Sequence, residues 1–170
     1  MLHVVLVNPE IPPNTGNIGR LCCAVGATLH LIKPLGFSLS DKALKRAGLD
    51  YWDKLDLEVW PDLQTYLGQV EEQRIVLTSS KQGKLYCRVR YSDGDHLLFG
   101  PETTGLTPEL FARFPQRVAR IPIDHSKVRS LNLSTSAGIV VFEALRQTRL
   151  FPRQHRASRT DHNGPEDTQL

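Results

Sequence analysis

The sequence predicts an α/β fold: a mostly parallel sheet covered by helices on both faces. Three observations carry this expectation. Short, mainly apolar runs such as Leu2–Val7, Leu29–Ile32 and Leu97–Phe99 read as strands buried on both faces, because a strand with one wet face would alternate. Segments with helix-start and helix-stop chemistry lie between them. That alternation of strand and helix favours parallel pairing through crossovers over hairpins.

The elements follow in order. Leu2–Val7 is a β-branched run closed by Asn8-Pro9. Ile11-Pro12-Pro13 is expected to be an extended connection, since proline has no N–H and restricts the residue before it. Asn14 is then expected to cap a helix carrying Ile18, Leu21, Cys22 and Val25 and stopping at Gly26. Leu29–Ile32 is a second strand, closed by Lys33-Pro34. Ser40–Ala47 reads as a short helix ended by Gly48, with Lys42, Lys45 and Arg46 on its exposed face. Leu57–Trp60 is a weak strand, Leu63–Val70 a helix, and Arg74–Thr78, Leu97–Phe99 and Val118–Ile123 are further strands. Between the last two, Thr107-Pro108-Glu109 has the residue types of an N-cap, an N1 proline and a first-turn acid. A final helix is marked by Leu133, Ala137, Val140, Val141, Ala144 and Leu145, an apolar stripe at the helical period. Beyond about Arg149 the pattern is lost. Residues 1–150 are expected to be one domain and 151–170 a disordered polar tail.

Bulk properties narrow the class. A chain of 170 residues suits one domain, and a net charge of +3 permits a polyanionic partner without requiring one. Its three cysteines include an adjacent pair but no C-x-x-C, so neither a disulfide framework nor a metal site is expected. No secretory signal and no membrane-spanning run is visible, which predicts a soluble cytoplasmic domain.

Three polar segments follow strand candidates, where parallel α/β proteins place their functional loops. The first, Asn14-Thr15-Gly16-Asn17-Ile18-Gly19-Arg20, lacks the glycine spacing of a dinucleotide fingerprint and is not a P-loop. The second, Gly100-Pro101-Glu102-Thr103-Thr104-Gly105, sets two glycines around a lone carboxylate, too little for paired-carboxylate hydrolysis. The third, Arg129 to Gly138, crowds hydroxyls, Asn132 and a guanidinium before the last helix; Ser130 or Asn132 can simply cap that helix. Asp124-His125-Ser126 holds the residue types of a hydrolytic triad, but their contiguity speaks against one.

Together these segments, with Ile121–Glu143, resemble the three motifs of the SPOUT class of RNA 2′-O-ribose methyltransferases, in order and spacing. The longer stretches Pro9–Asn17, Lys45-Arg46-Ala47-Gly48-Leu49-Asp50-Tyr51 and Phe142-Glu143-Ala144 resemble its TrmL (YibK-like) tRNA wobble-nucleotide family, over roughly residues 1–150. The resemblance implies a C-terminal deep trefoil knot, an exception to un-knotted topology. It implies S-adenosyl-L-methionine held by the knot loops, with contacts at Thr78, Gly100, Ile121 and Ser130 made mainly through backbone groups. It implies a homodimer, and methylation of the ribose 2′-hydroxyl of nucleotide 34 (cytidine or modified uridine) in the tRNA anticodon loop. One departure is Phe142, where the family often carries Tyr.

No His, Asp or Lys in the three loops is an evident base, and an arginine is a poor one. The family role gives Arg20 the RNA phosphate and the developing alkoxide as partners. Asn14, Glu102 and Asn132 are expected to support the loops by hydrogen bonds. Lys42, Lys45 and Arg46 beside Tyr51 suit a phosphate clamp with a stacking platform; a solvated helix followed by a core aromatic pair is the structural alternative. Rival functions are 2′-O-methylation of another RNA such as rRNA, or a catalytically silent knotted RNA-binding module.

Overall fold

The computed structural model of the chain describes residues 1–39 and 51–148. The expected helix Ser40–Ala47, with Lys42, Lys45 and Arg46, and the tail from 151 lie outside them. The strands are β1 (His3–Val7), β2 (Thr28–Ile32), β3 (Leu57–Trp60), β4 (Ile75–Ser79), β5 (Lys84–Leu85), β6 (His96–Phe99) and β7 (Val118–Arg120). They form one sheet in the order β3-β2-β1-β6-β4-β7-β5, and every adjacent pair is parallel. The helices are α1 (Pro12–Val25), α2 (Leu63–Leu67), α3 (Pro108–Arg113) and α4 (Leu133–Thr148).

Side-chain alternation along the strands divides the apolar residues between two cores. Val4, Leu6, Leu29, Leu31, Leu97 and Phe99 pack with Ile18 and Cys22 of α1 and with Ala137, Val140, Val141 and Ala144 of α4. Val5, Val7, Ile32, Leu77 and Leu98 face the other way, onto Tyr66 and Leu67 of α2 and Leu110 of α3. The sheet is therefore covered on both faces, as its mainly apolar strands require. Among the described residues no helix is long and apolar enough to cross a membrane.

Several expectations are corrected. α1 begins at Pro12, not after Asn14, and both prolines lie in its first turn. Their missing N–H groups cost nothing there, because first-turn donors have no intrahelical acceptor. Ile11 takes the N-cap position without a side-chain bond, which releases Asn14 for other partners. α2 stops at Leu67 with Gly68 as its C-cap, three residues short of Val70. β7 ends at Arg120, two residues before Pro122, which cannot donate to a ladder. β5 was not anticipated: this two-residue edge strand carries no apolar run.

Candidate active site

The C-terminal ends of β4, β6 and β7 open into a cavity of about 670 Å³. Thr78, Gly100, Ile121 and Ser130 all line it, and so do Asn14, Glu102 and Asn132. Residues separated by up to 118 positions in the chain thus meet in one place. A cavity of this size lies in the range that encloses a nucleoside-sized ligand.

Each wall has a local cause. Thr78 donates its hydroxyl to the Leu98 carbonyl at 2.8 Å, so its side chain bridges β4 to β6. Ile121 is 8 % exposed, and its N–H donates to the Ser79 carbonyl at 3.2 Å, extending the β4–β7 pairing past the last strand residue. Gly100 is needed for a different reason from the one a ligand would impose. A Cβ placed there would lie 2.3 Å from the Gly105 carbonyl carbon and from the Leu106 nitrogen. The loop folds back on itself at Gly105, whose φ of +73° favours glycine and whose N–H donates to the Pro101 carbonyl.

The loops are locked together by carboxylates and amides. Glu102 accepts from the N–H groups of Glu10 (2.9 Å) and Ile11 (3.2 Å) and from Asn14 Nδ2 (3.0 Å). Asn14 is 5 % exposed, and its Oδ1 accepts from Asn132 Nδ2 at 2.9 Å. Asn132 uses its own Oδ1 as the cap of α4, accepting from the Ser134 N–H at 2.8 Å and the Ser134 hydroxyl at 2.6 Å. Capping and site support are thus one role of Asn132, not alternatives. In return for the Glu102 contact, the Glu10 carboxylate accepts from the N–H (3.0 Å) and hydroxyl (2.8 Å) of Thr103 on the cavity wall. Sequence reading did not single out Glu10, because nothing local shows a carboxylate reaching a loop 93 residues away.

Arg20 stands apart from the cavity lining. It is exposed on α1, with its guanidinium 5.2 Å from the centroid of the Tyr51 ring. Tyr51 is 7 % exposed, and its hydroxyl donates to the Gly16 carbonyl on the same helix. The expected stacking platform at Tyr51 is thus a buried ring that seats Arg20. Gly19 makes this packing possible, since a Cβ there would press on Leu55, Trp52 and Tyr51 at 3.1 to 3.5 Å.

The Asp124-His125-Ser126 segment forms no triad. Ser126 donates its hydroxyl straight to Asp124 at 2.6 Å, while His125 Nε2 bonds the Ser80 carbonyl at 2.9 Å. The bonds from Ser126 hold the Asp124 carboxyl below the usual carboxylate range, so the aspartate serves the loop turn.

Comparison with known proteins places this site in context. The model of the SpoU rRNA Methylase family matches residues 1–142. The chain is 45 % identical over 148 residues to the tRNA (cytidine(34)-2'-O)-methyltransferase of Methylovorus glucosotrophus (strain SIP3-4), covering 86 % of this chain and 96 % of the relative. A solved structure described as giving structural insights into the 2-OH methylation of C/U34 on tRNA superposes with a TM-score of 0.80 at 44 % identity, over 86 % of this chain and 90 % of that one. An AdoMet-bound rRNA methyltransferase from Sinorhizobium meliloti superposes with a TM-score of 0.73 at 29 % identity, over 85 % of this chain and 56 % of that longer one. The cavity is thus built from the same stretch of sequence that the family model recognises, and the chain belongs to the SpoU rRNA Methylase family.

Proposed function

We propose that this chain is an S-adenosyl-L-methionine-dependent methyltransferase that modifies the ribose 2′-hydroxyl of nucleotide 34, cytidine or modified uridine, in the anticodon loop of tRNA. The observation that carries the reading is one cavity lined by residues of all three motif segments, in a chain 45 % identical to a tRNA (cytidine(34)-2'-O)-methyltransferase over nearly its whole length. An rRNA substrate is the weaker reading, because the rRNA methyltransferase that superposes is more distant and nearly half of it lies outside the match.

The cavity fits the cofactor in size and in chemistry. Backbone groups at Thr78, Gly100, Ile121 and Ser130 would hold it. When bound, S-adenosylmethionine supplies an electrophilic sulfonium methyl. Glu102, Asn14 and Asn132 keep the surrounding loops in register, so the site is organised before RNA arrives. Arg20 contacts RNA phosphate and stabilises the developing 2′-alkoxide; Lys42, Lys45 and Arg46 add further phosphate contacts. We further propose a homodimer acting in the cytoplasm, one catalytic domain over residues 1–150, and a trefoil knot in which the segment before α4 threads the loop after β6. The hydrogen bond from Asn132 to Asn14 and the shared lining of Ser130 and Glu102 support that threading.

Methylation of total tRNA and of rRNA with labelled cofactor, followed by mapping of the modified nucleotide, tests the reading. Label confined to position 34 is expected. Label in rRNA, at another tRNA position, or nowhere overturns it.

A further inference from the structure

Three histidines that the cavity does not use converge toward the opposite edge of the sheet, the N-terminal ends of its central strands. The register sets His3 of β1 beside His96 of β6 and places His30 of β2 beside Val5, two residues further along β1. All three imidazoles therefore project from the face that carries Val5, Ile32 and Leu98. His3 Nδ1 and His30 Nε2 lie 3.0 Å apart, and one nitrogen from each of the three rings lies within 4.8 Å of the others. His30 is 3 % exposed, whereas His3 and His96 are half-buried and open to solvent on one side.

We propose that His3, His30 and His96 bind one borderline divalent transition-metal ion, of the Zn²⁺, Co²⁺ or Ni²⁺ class, which ties β1, β2 and β6 together. The donor set decides the class of ion: imidazole nitrogens without carboxylate or thiolate select these metals over Mg²⁺ and Ca²⁺. The open side toward solvent leaves a fourth position for water. Ligating histidines need a partner behind the ring, and two are in place. Glu58 Oε2 lies 3.4 Å from His30 Nδ1, and the Tyr66 hydroxyl bonds His96 Nδ1.

Charges of both signs surround the site. The Met1 ammonium acts on His3 against a cation but is itself paired with Asp93, and Arg74 acts on His96 in the same sense; Glu58, Asp56 and Asp93 act on His3 in favour of a cation.

Binding requires rearrangement of the rings but no net uptake of protons. Without an ion, the Trp60 indole N–H donates to His30 Nδ1 at 3.1 Å, so the His30 proton sits on Nε2 and is donated to His3 Nδ1. With an ion, the His30 proton moves to Nδ1 and is accepted by Glu58, which frees Nε2 and obliges the half-buried Trp60 indole N–H to give up its bond to Nδ1. His96 would bind through Nε2, with its proton on Nδ1 donated to the Tyr66 oxygen, and His3 through its already bare Nδ1. Metal–nitrogen bonds of about 2.0–2.1 Å set tetrahedral ligand nitrogens about 3.4 Å apart. The His3–His30 pair is near that spacing. His96 must leave its stack on His3, where the ring centroids are now 4.1 Å apart.

The site is independent of the proposed activity, and so is its test. Full-length, tag-free protein stripped by chelator is titrated with ZnCl₂ by calorimetry and with CoCl₂ by visible absorption. One ion per chain is expected, with the absorption of a four-coordinate cobalt site and a raised thermal midpoint. His3→Gln and His96→Gln, at half-exposed positions that tolerate an amide, should each weaken binding at least tenfold. Circular dichroism and a cooperative urea transition check that the variants are folded. Absence of saturable binding at one ion per chain overturns the proposal, leaving a hydrogen-bonded cluster. Binding unchanged in both variants overturns it equally, assigning the ion to Cys87, His125 or the histidines of the tail.

Discussion

Asn14 reaches Glu102 across 88 residues of sequence, donating Nδ2–H to Oε1 at 3.0 Å while its Oδ1 takes a hydrogen bond from Asn132. One buried amide thereby satisfies an acceptor on the loop after β6 and a donor at the start of α4. Removing it as Asn14→Ala leaves both partners short of a bond and should cost about 1–3 kcal/mol of stability. Asn14→Asp should cost more, because it replaces a donor with a second carboxylate facing Glu102. Both variants should lower S-adenosylmethionine affinity by about tenfold or more, or roughly 1.4 kcal/mol. Urea unfolding and calorimetric titration on the same preparations measure the two effects. A folded alanine variant with full affinity removes Asn14 from the support of the site.

Gly100→Ala addresses the loop and not the ligand. The added Cβ meets backbone at 2.3 Å, where no flexible side chain can yield, so the turn through Gly105 must open. Cofactor affinity and thermal stability are expected to fall together. Lost affinity at unchanged melting temperature would mean that ligand, not loop backbone, requires the glycine.

The histidine cluster predicts a pH-dependent stability in metal-free protein. Burial lowers His30 to about 4 and His96 to about 3, and lowers His3, from the ordinary 6.5. Above the ordinary value neither folded nor unfolded chain is protonated there, and stability is flat. As the pH falls below 6.5, the unfolded chain takes up protons that the folded chain refuses, so stability drops until the folded imidazoles titrate near 4 and 3. For His30 alone, the loss between about pH 7.5 and pH 5 is on the order of 2 kcal/mol. Urea midpoints across that range should show it, and His96→Gln should flatten the slope. A flat profile in the parent protein would contradict the burial assigned to these rings.

The contrast between β1 and β5 shows which features the sequence made legible. His3–Val7 and its parallel neighbours are mainly apolar on both faces, so local composition already encodes a two-sided core. Lys84–Leu85 is a strand through its pairing to β7, a tertiary contact with no local signature. The site divides along the same line. Thr78, Gly100, Ile121 and Ser130 came from the resemblance to the family's motifs, and all four line one cavity. The clamp from Glu10 to Thr103 and the burial of Tyr51 depend on which distant backbone meets them, and motif spacing is silent on that. Asn14 was misread as a cap because Asn is a good cap in isolation, whereas the two prolines had already started the helix.

Arg20 provides the sharpest test of the proposed chemistry. It lies outside the cavity lining yet on the helix whose first turn is fixed to Glu102, so its place relative to the cofactor is set through α1. Its guanidinium rests over Tyr51, and the Tyr51 hydroxyl is anchored to Gly16, one turn before it. Arg20→Ala should therefore keep the fold and hold S-adenosylmethionine affinity within about threefold of the parent. Methyl transfer should fall about 10²-fold or more, the scale of losing one transition-state donor. Arg20→Lys should restore little, because an ammonium cannot make the two parallel bonds that a guanidinium offers a phosphate. Tyr51→Leu removes the ring beneath an intact arginine, and should lower the rate less than Arg20→Ala while raising the RNA concentration needed for half-saturation. Single-turnover methylation of an anticodon stem-loop at saturating cofactor separates these outcomes. An alanine variant turning over at the parental rate would leave Arg20 a surface residue of α1 and remove it from the mechanism.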